Sequence, residues 1–233
     1  MAAPESGYHA IVDMGSNGIR CSVANLSASS HPRLLSTIYS DRIPISLHDA
    51  QYPEGTTTRQ ALSEQTVRDV VLALQRFKHT CEDFGVPNDN VTLVATEATR
   101  TAINADEFLN AIEKALGWSV KLLSKGQEAA AGAMGVATSV PVVDGLVMDL
   151  GGGSVQLTKV NTKDSDWHDH VDDNAISLPY GAAALLKRID AAKSSSEEQK
   201  QLKVELTQAL KQALTDLRLD EKSIPDADRK SVV

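Results

Sequence analysis

One pattern occurs twice in this chain and restricts what it can fold into. A short apolar run ends in Asp-x-Gly, turns on small residues, and resumes as a second extended run. It stands at Val12-Asp13-Met14-Gly15-Ser16-Asn17 and again at Met148-Asp149-Leu150-Gly151-Gly152-Gly153. An apolar stretch stopped by glycine and small polar residues, then continued, reads as a hairpin. Its return far along the chain is a weak internal repeat and marks two units. The expectation is two lobes, residues 8–140 and 145–220, with Asp13 and Asp149 facing one cleft. A polar tail, residues 221–233, follows.

The intervening pattern supports an α/β class. Residues 8–13 and 19–26 read as strands and residues 34–39 as a third. Ser63 caps a helix with the apolar stripe Val67, Val70, Val71 and Leu74, stopped by Gly85 and Pro87. Residues 91–96 form a strand. Asn104 with Glu107 predicts a capping box for a helix ending at Gly117. A strand at 119–123 leads to a second capping box, Ser124 with Gln127, and a small-residue helix to residue 138. After the restart, strands are expected at 145–150, 154–160 and 175–178. Helical segments over 181–217 carry an apolar stripe of Leu202, Leu206, Ala209, Leu210, Ala213, Leu214 and Leu217, which reads as core packing.

Charge narrows the function. Lys and Arg total 23 against 31 Asp and Glu, a net charge of -8, which disfavours nucleic acid as a partner. Phosphates would have to be held by local backbone donors and a few placed cations, and no basic channel for a long polyanion stands out. Cys21 and Cys81 give neither a disulfide framework nor metal-ligand spacing, which suits a reducing compartment. The N-terminus lacks signal-peptide blocks. Residues 129–143 are broken by Gly, Thr, Ser and Pro and cannot span a membrane. A soluble, cytoplasmic protein is expected. His168 and His170, in the acidic stretch 164–173, read as part of a solvated loop rather than a metal site.

Glycines let a backbone approach an anion closely and offer its N–H groups. Neither turn is followed by the Lys-Ser/Thr of a Walker loop. Either turn alone would be an ordinary hairpin. Two in register, each behind an aspartate, favour a phosphate site in which the aspartates hold a hydrated Mg²⁺.

Several segments then resemble the Ppx/GppA family in order. They are Asp13-Met14-Gly15-Ser16-Asn17-Gly18-Ile19-Arg20, Ala95-Thr96-Glu97-Ala98-Thr99-Arg100, Asn104-Ala105-Asp106-Glu107-Phe108, Gly126-Gln127-Glu128-Ala129 and Asp149-Leu150-Gly151-Gly152-Gly153-Ser154. Ser177-Leu178-Pro179-Tyr180-Gly181 resembles a further family segment. The divergent character looks most like the fungal retrograde-regulation branch.

The resemblance implies a ribonuclease-H-like sugar kinase/actin/Hsp70 fold with an incomplete second lobe. It implies Glu128 as the catalytic glutamate that activates water. Asp13, Gly15, Ser16, Asn17 and Arg20 match a first phosphate loop, Gly151, Gly152, Gly153 and Ser154 a second, and Arg100 a phosphate-contacting arginine. Asp149, Glu128 and Asp13 match metal positions for Mg²⁺. Three positions depart from the family pattern: Gln127, Gln156 and Glu97, each expected to weaken metal or phosphate binding.

Two functions stay open. One is hydrolysis of a terminal phosphoanhydride in polyphosphate or a guanosine polyphosphate. The other is a phosphate- or nucleotide-sensing regulator with little turnover. The partners implied are a phosphorylated small molecule, short polyphosphate or ATP, with a homodimer or a regulatory protein as further expectations. The short second lobe predicts weak stability and self-association.

Overall fold

The structure is a computed structural model that describes residues 7–27, 35–56, 58–171, 173–193 and 195–219. The expected tail at 221–233 lies outside the described residues. The chain divides into two compact units between Leu123 and Ser124.

The first unit runs β1 (Tyr8–Gly15), β2 (Gly18–Asn25), β3 (Thr37–Ile43), α1 (Leu47–Gln51), α2 (Glu64–Asp83), β4 (Val91–Ala95), α3 (Glu97–Arg100), α4 (Ala105–Leu116) and β5 (Val120–Leu122). Its sheet has the order β3-β2-β1-β4-β5. The β1–β2 and β2–β3 pairs are antiparallel, and β1–β4 and β4–β5 are parallel. This is the ribonuclease-H-like arrangement that the resemblance implies.

Alternation decides the faces. Ala10, Val12 and Met14 of β1 and Ile19, Cys21 and Val23 of β2 are buried against Val70, Leu74 and Phe77 of α2 and Phe108, Ile112 and Leu116 of α4. The thiols of Cys21 and Cys81 meet in this core. The hydrogen bond to Cys81, with burial, pushes the Cys21 thiol well above its ordinary value. On the other sheet face, Ile11 and Ile38 are exposed.

Ser63 caps α2 as expected, its hydroxyl accepting from the Thr66 N–H at 3.1 Å. Gly117 ends α4 at φ 69°, a left-handed position that suits glycine. Asn104 departs from the expected capping box. It stands at the N-cap but makes no capping bond. Its amide instead brackets Leu62, accepting from the Leu62 N–H at 2.9 Å and donating to the Leu62 carbonyl at 3.0 Å. The third strand is Thr37–Ile43 rather than 34–39. Its extension past residue 39 was not expected because Ser40 and Arg42 alternate with the core-side Tyr39 and Ile43 and hide the apolar period.

The second unit runs α5 (Lys125–Ser139), β6 (Asp144–Leu150), β7 (Val155–Asn161), β8 (Ala175–Leu178), α6 (Ala182–Ala191) and α7 (Ser196–Asp216). Its antiparallel sheet, β6-β7-β8, repeats the first three strands of the first unit. The expected lobe limit at residue 140 is corrected to Leu123/Ser124 for a packing reason. The buried face of α5 is alanine, Ala129, Ala133 and Ala137, and Ala133 packs with Val147, Val160 and Val171. Only so small a face lets the helix lie close on β6 and β7.

The stripe on α7 is graded. Ala213 and Leu217 are buried and pack on Leu157, Leu202, Leu206, Ala209 and Leu214 are half-buried, and Leu210 is 40% exposed. No helix among the described residues is long and apolar enough to cross a membrane.

Candidate functional site

The first glycine turn is a two-residue connection, Ser16 and Asn17, between the paired Gly15 and Gly18. Its carbonyls point back into the unit. The Ser16 carbonyl accepts from the His48 N–H at 2.9 Å, and the Asn17 carbonyl accepts from Arg42 Nη2 at 2.6 Å. Among the described residues, the N–H groups of Ser16 and Asn17 have no backbone acceptor. Asp13 sits two residues before Gly15, paired in register with Arg20.

The second turn follows the same rule with different partners. The Gly151 N–H closes the hairpin on the Ser154 carbonyl at 2.9 Å. The Gly153 carbonyl accepts from Gly181, the Gly151 carbonyl from Ala182 at 2.8 Å, and the Gly152 carbonyl from Ala183 at 2.9 Å. The turn's carbonyls thereby satisfy the unpaired donors that begin α6. Among the described residues, the N–H groups of Gly152 and Gly153 have no backbone acceptor. Each turn thus ties its carbonyls down and leaves donors over, the polarity an anion cradle needs.

Gly181 makes the second arrangement possible. A Cβ there would lie 2.4 Å from both the Gly152 oxygen and the Ser154 nitrogen. Ser154 and Gln156 are buried, and Gln156 Nε2 donates to Ser154 Oγ at 2.8 Å. The Gln156 amide is therefore a brace inside the turn, beyond its expected loss of charge.

Glu128 and Asp149 both belong to the second unit. Glu128 lies in the first turn of α5, behind a complete capping box: Ser124 Oγ accepts from the Gln127 N–H at 3.1 Å, and Gln127 Oε1 accepts from the Ser124 N–H at 3.0 Å. Gln127 is a cap. Gly132 is one helical turn beyond Glu128 and shares its face. A Cβ at Gly132 would stand 2.8 Å from Asp149 Oδ2. The Asp149 carboxylate therefore packs on α5 one turn from Glu128, at the strand end that leads into the glycine turn.

Arg100 and Glu97 have local duties. Arg100 Nη1 donates to the Leu123 carbonyl, which steadies the chain just before Ser124. Glu97 Oε1 accepts from Thr101 Oγ1 at 3.3 Å and faces Arg59 at 3.9 Å, so its added charge is balanced locally.

Asp13 lies in the first unit. Among the described residues, no three His, Cys, Asp or Glu side chains converge to hold a metal ion. Mg²⁺ asks less than such a cluster: it keeps several waters and takes one or two carboxylates plus substrate phosphate. Asp149 with Glu128 is a donor set of that kind. Sequence reasoning missed Gly132, Arg42 and α1. A glycine four residues past Glu128 in a helix was the available signal for the first.

The Ppx/GppA phosphatase family matches residues 26–223. Retrograde regulation protein 2 of Saccharomyces cerevisiae is 38% identical over 222 residues, 94% of this chain and 36% of that protein. The guanosine-5'-triphosphate,3'-diphosphate pyrophosphatase of Aeromonas hydrophila is 31% identical over 153 residues, 65% of this chain and 29% of that protein. The solved Aquifex aeolicus PPX-GPPA enzyme matches with a TM-score of 0.65 at 26% identity, over 90% of this chain and 64% of that one. The chain spans about a third of the length of the curated relatives it matches. The yeast likeness agrees with the fungal branch read from the motifs, and the chain belongs to the Ppx/GppA phosphatase family.

Proposed function

We propose that the chain carries the phosphate-binding and water-activating residues for hydrolysis of a terminal phosphoanhydride, in polyphosphate or a guanosine polyphosphate. The observation that carries this is the packing of Asp149 on Gly132, one turn from Glu128 and next to the second glycine turn. The N–H groups of Gly152 and Gly153 bind phosphate oxygens. Within the first unit, the N–H groups of Ser16 and Asn17, with Arg20 and Arg100, offer anion chemistry of the same kind, and Asp13 is that unit's own candidate metal carboxylate. Asp149 and Glu128 would hold Mg²⁺, which would neutralise charge on the phosphates.

Glu128 orients a water and takes its proton as the water oxygen bonds to the terminal phosphorus. The bridging P–O bond breaks, and the electron pair leaves with the shortened phosphate. Positioning and electrostatics do most of the catalysis in such a transfer.

A regulatory reading is favoured by the 38% identity to Retrograde regulation protein 2: the same residues bind phosphate with little turnover. Phosphate release from short polyphosphate, guanosine pentaphosphate and ATP, with and without Mg²⁺, separates the two. Glu128→Gln should lower hydrolysis by roughly 10² to 10⁴-fold, the span for a positioned base, and leave the phosphate binding measured without Mg²⁺, which the glycine turns supply, intact. Equal, measurable rates in parent and variant would reduce Glu128 to a helix-start acid. Binding without turnover in either would favour the regulator.

A further inference from the structure

A guanidinium lies directly over the end of the first glycine turn. A Cβ at Gly18 would stand 2.8 Å from Nε and 2.9 Å from Nη2 of Arg42. That same Nη2 donates to the Asn17 carbonyl at 2.6 Å. The approach exists because residue 18 has no side chain. Arg42 is exposed, and a guanidinium offers five N–H donors in a rigid plane. The bond to Asn17 fixes the plane and leaves other donors for an anion.

Strand register adds an independent observation. Asp13 pairs with Arg20 and Arg20 with Arg42. In the other direction Asp13 pairs with Val94 and Val94 with Lys121. Directly opposed residues share a sheet face. Arg42, Arg20, Asp13, Val94 and Lys121 therefore form one row, on the face away from α2 and α4. Adjacent strands are about 4.8 Å apart, so Arg42 and Arg20 stand side by side. Asp13 flanks Arg20 on its far side, which leaves Arg42 without a carboxylate opposite it in the row and a further anion favoured between the two arginines. In a chain of net charge -8, this row is locally cationic.

We propose that Arg42 is a phosphate-contacting residue of the first glycine turn: held by the Asn17 carbonyl, it grips a phosphate oxygen together with Arg20. This rests on the reading of that turn as a phosphate site. The ligand class is a phosphoryl anion, and an anchored planar fork can bind it bidentately.

The test is calorimetric titration of the chain with inorganic tripolyphosphate at two salt concentrations, alongside thermal midpoints. Arg42→Ala should weaken binding about 10- to 100-fold, the range for charged hydrogen bonds, and flatten its salt dependence. Arg42→Lys should recover part of the loss, since it restores charge without the fork. Arg42→Gln keeps an amide that can donate to Asn17 and covers the case in which Arg42→Ala unfolds. A folded Arg42→Gln or Arg42→Ala chain with parental affinity overturns the inference. So does full recovery in Arg42→Lys with unchanged salt dependence in Arg42→Ala, since Arg42 would then only brace the turn. A parent that binds no tripolyphosphate overturns the phosphate-site reading and this inference together.

Discussion

A methyl group at residue 181 would collide with the backbone of the second glycine turn. The φ of Gly181 is -70°, open to any residue, so glycine is required there by space alone. Gly181→Ala should push the turn off the start of α6 and cost about 1–3 kcal/mol, the usual penalty of overpacking. It should also weaken phosphate binding. Gly135→Ala is the control: nothing lies within 4 Å of its Cβ, and an alanine inside a helix gains about 1 kcal/mol over glycine. Urea midpoints for both variants would check this, and a Gly181→Ala chain as stable as the parent would remove the close-contact argument. At this scale the sequence was legible in residue type and less so in role. Gln127 read both as a lost acid and, from its spacing to Ser124, as a cap, and the cap is what it makes. Gln156 read only as a lost acid, yet it braces Ser154, because that side-chain partner leaves no mark on spacing. The close approaches to Gly181 and Gly132 were equally hidden, since a glycine does not announce its neighbour.

Elements are held by ties that composition does not reveal. Arg188 of α6 makes a two-pronged contact with Glu205 of α7, at 2.9 and 2.7 Å, and the Tyr180 hydroxyl donates to the same carboxylate at 2.9 Å. The hydrogen bonds from Arg188, then Tyr180, hold the Glu205 carboxyl at about 2, below its ordinary 4.5. A depressed acid stabilises the fold above its unfolded value, and that contribution disappears as pH falls from 4.5 through 2. Glu205→Gln should therefore lower the thermal midpoint slightly at pH 7, the carboxylate being solvent-screened. The gap to the parent should close as pH approaches 2, and a gap that persists there would mean the charge is not what links α6 to α7. Elements with a clean period were legible: α2 with its Ser63 cap, α5 with its capping box, and β8. The second half of β3 and the short α1 were not, because Ser40, Asp41 and Arg42 break the apolar alternation and α1 is too short to show a period.

At the scale of the molecule, the repeated Asp-x-Gly hairpin predicted two units, and both are present, each opening on that hairpin apart from α5. The same repeat concealed an asymmetry in how the hairpins are covered. In the first unit β1 lies inside its sheet, between β2 and β4. In the second, among the described residues, β6 pairs only with β7 and has an open edge. Leu146, Met148 and Leu150 alternate along one face of β6 and are 37%, 62% and 52% exposed. The reason is the reach of α7: Ala213 and Leu217 cover Leu157 on β7 and stop short of β6. An open edge beside an apolar row invites pairing with another chain. The chain should therefore associate as its concentration rises, through this face. Met148→Lys places a charge on the row at a site already exposed, so it should raise the monomer fraction in light scattering and leave the thermal midpoint where it was. A parent that stays monodisperse over the same range, or a variant that associates as the parent does, would show that β6 is not the adhesive surface.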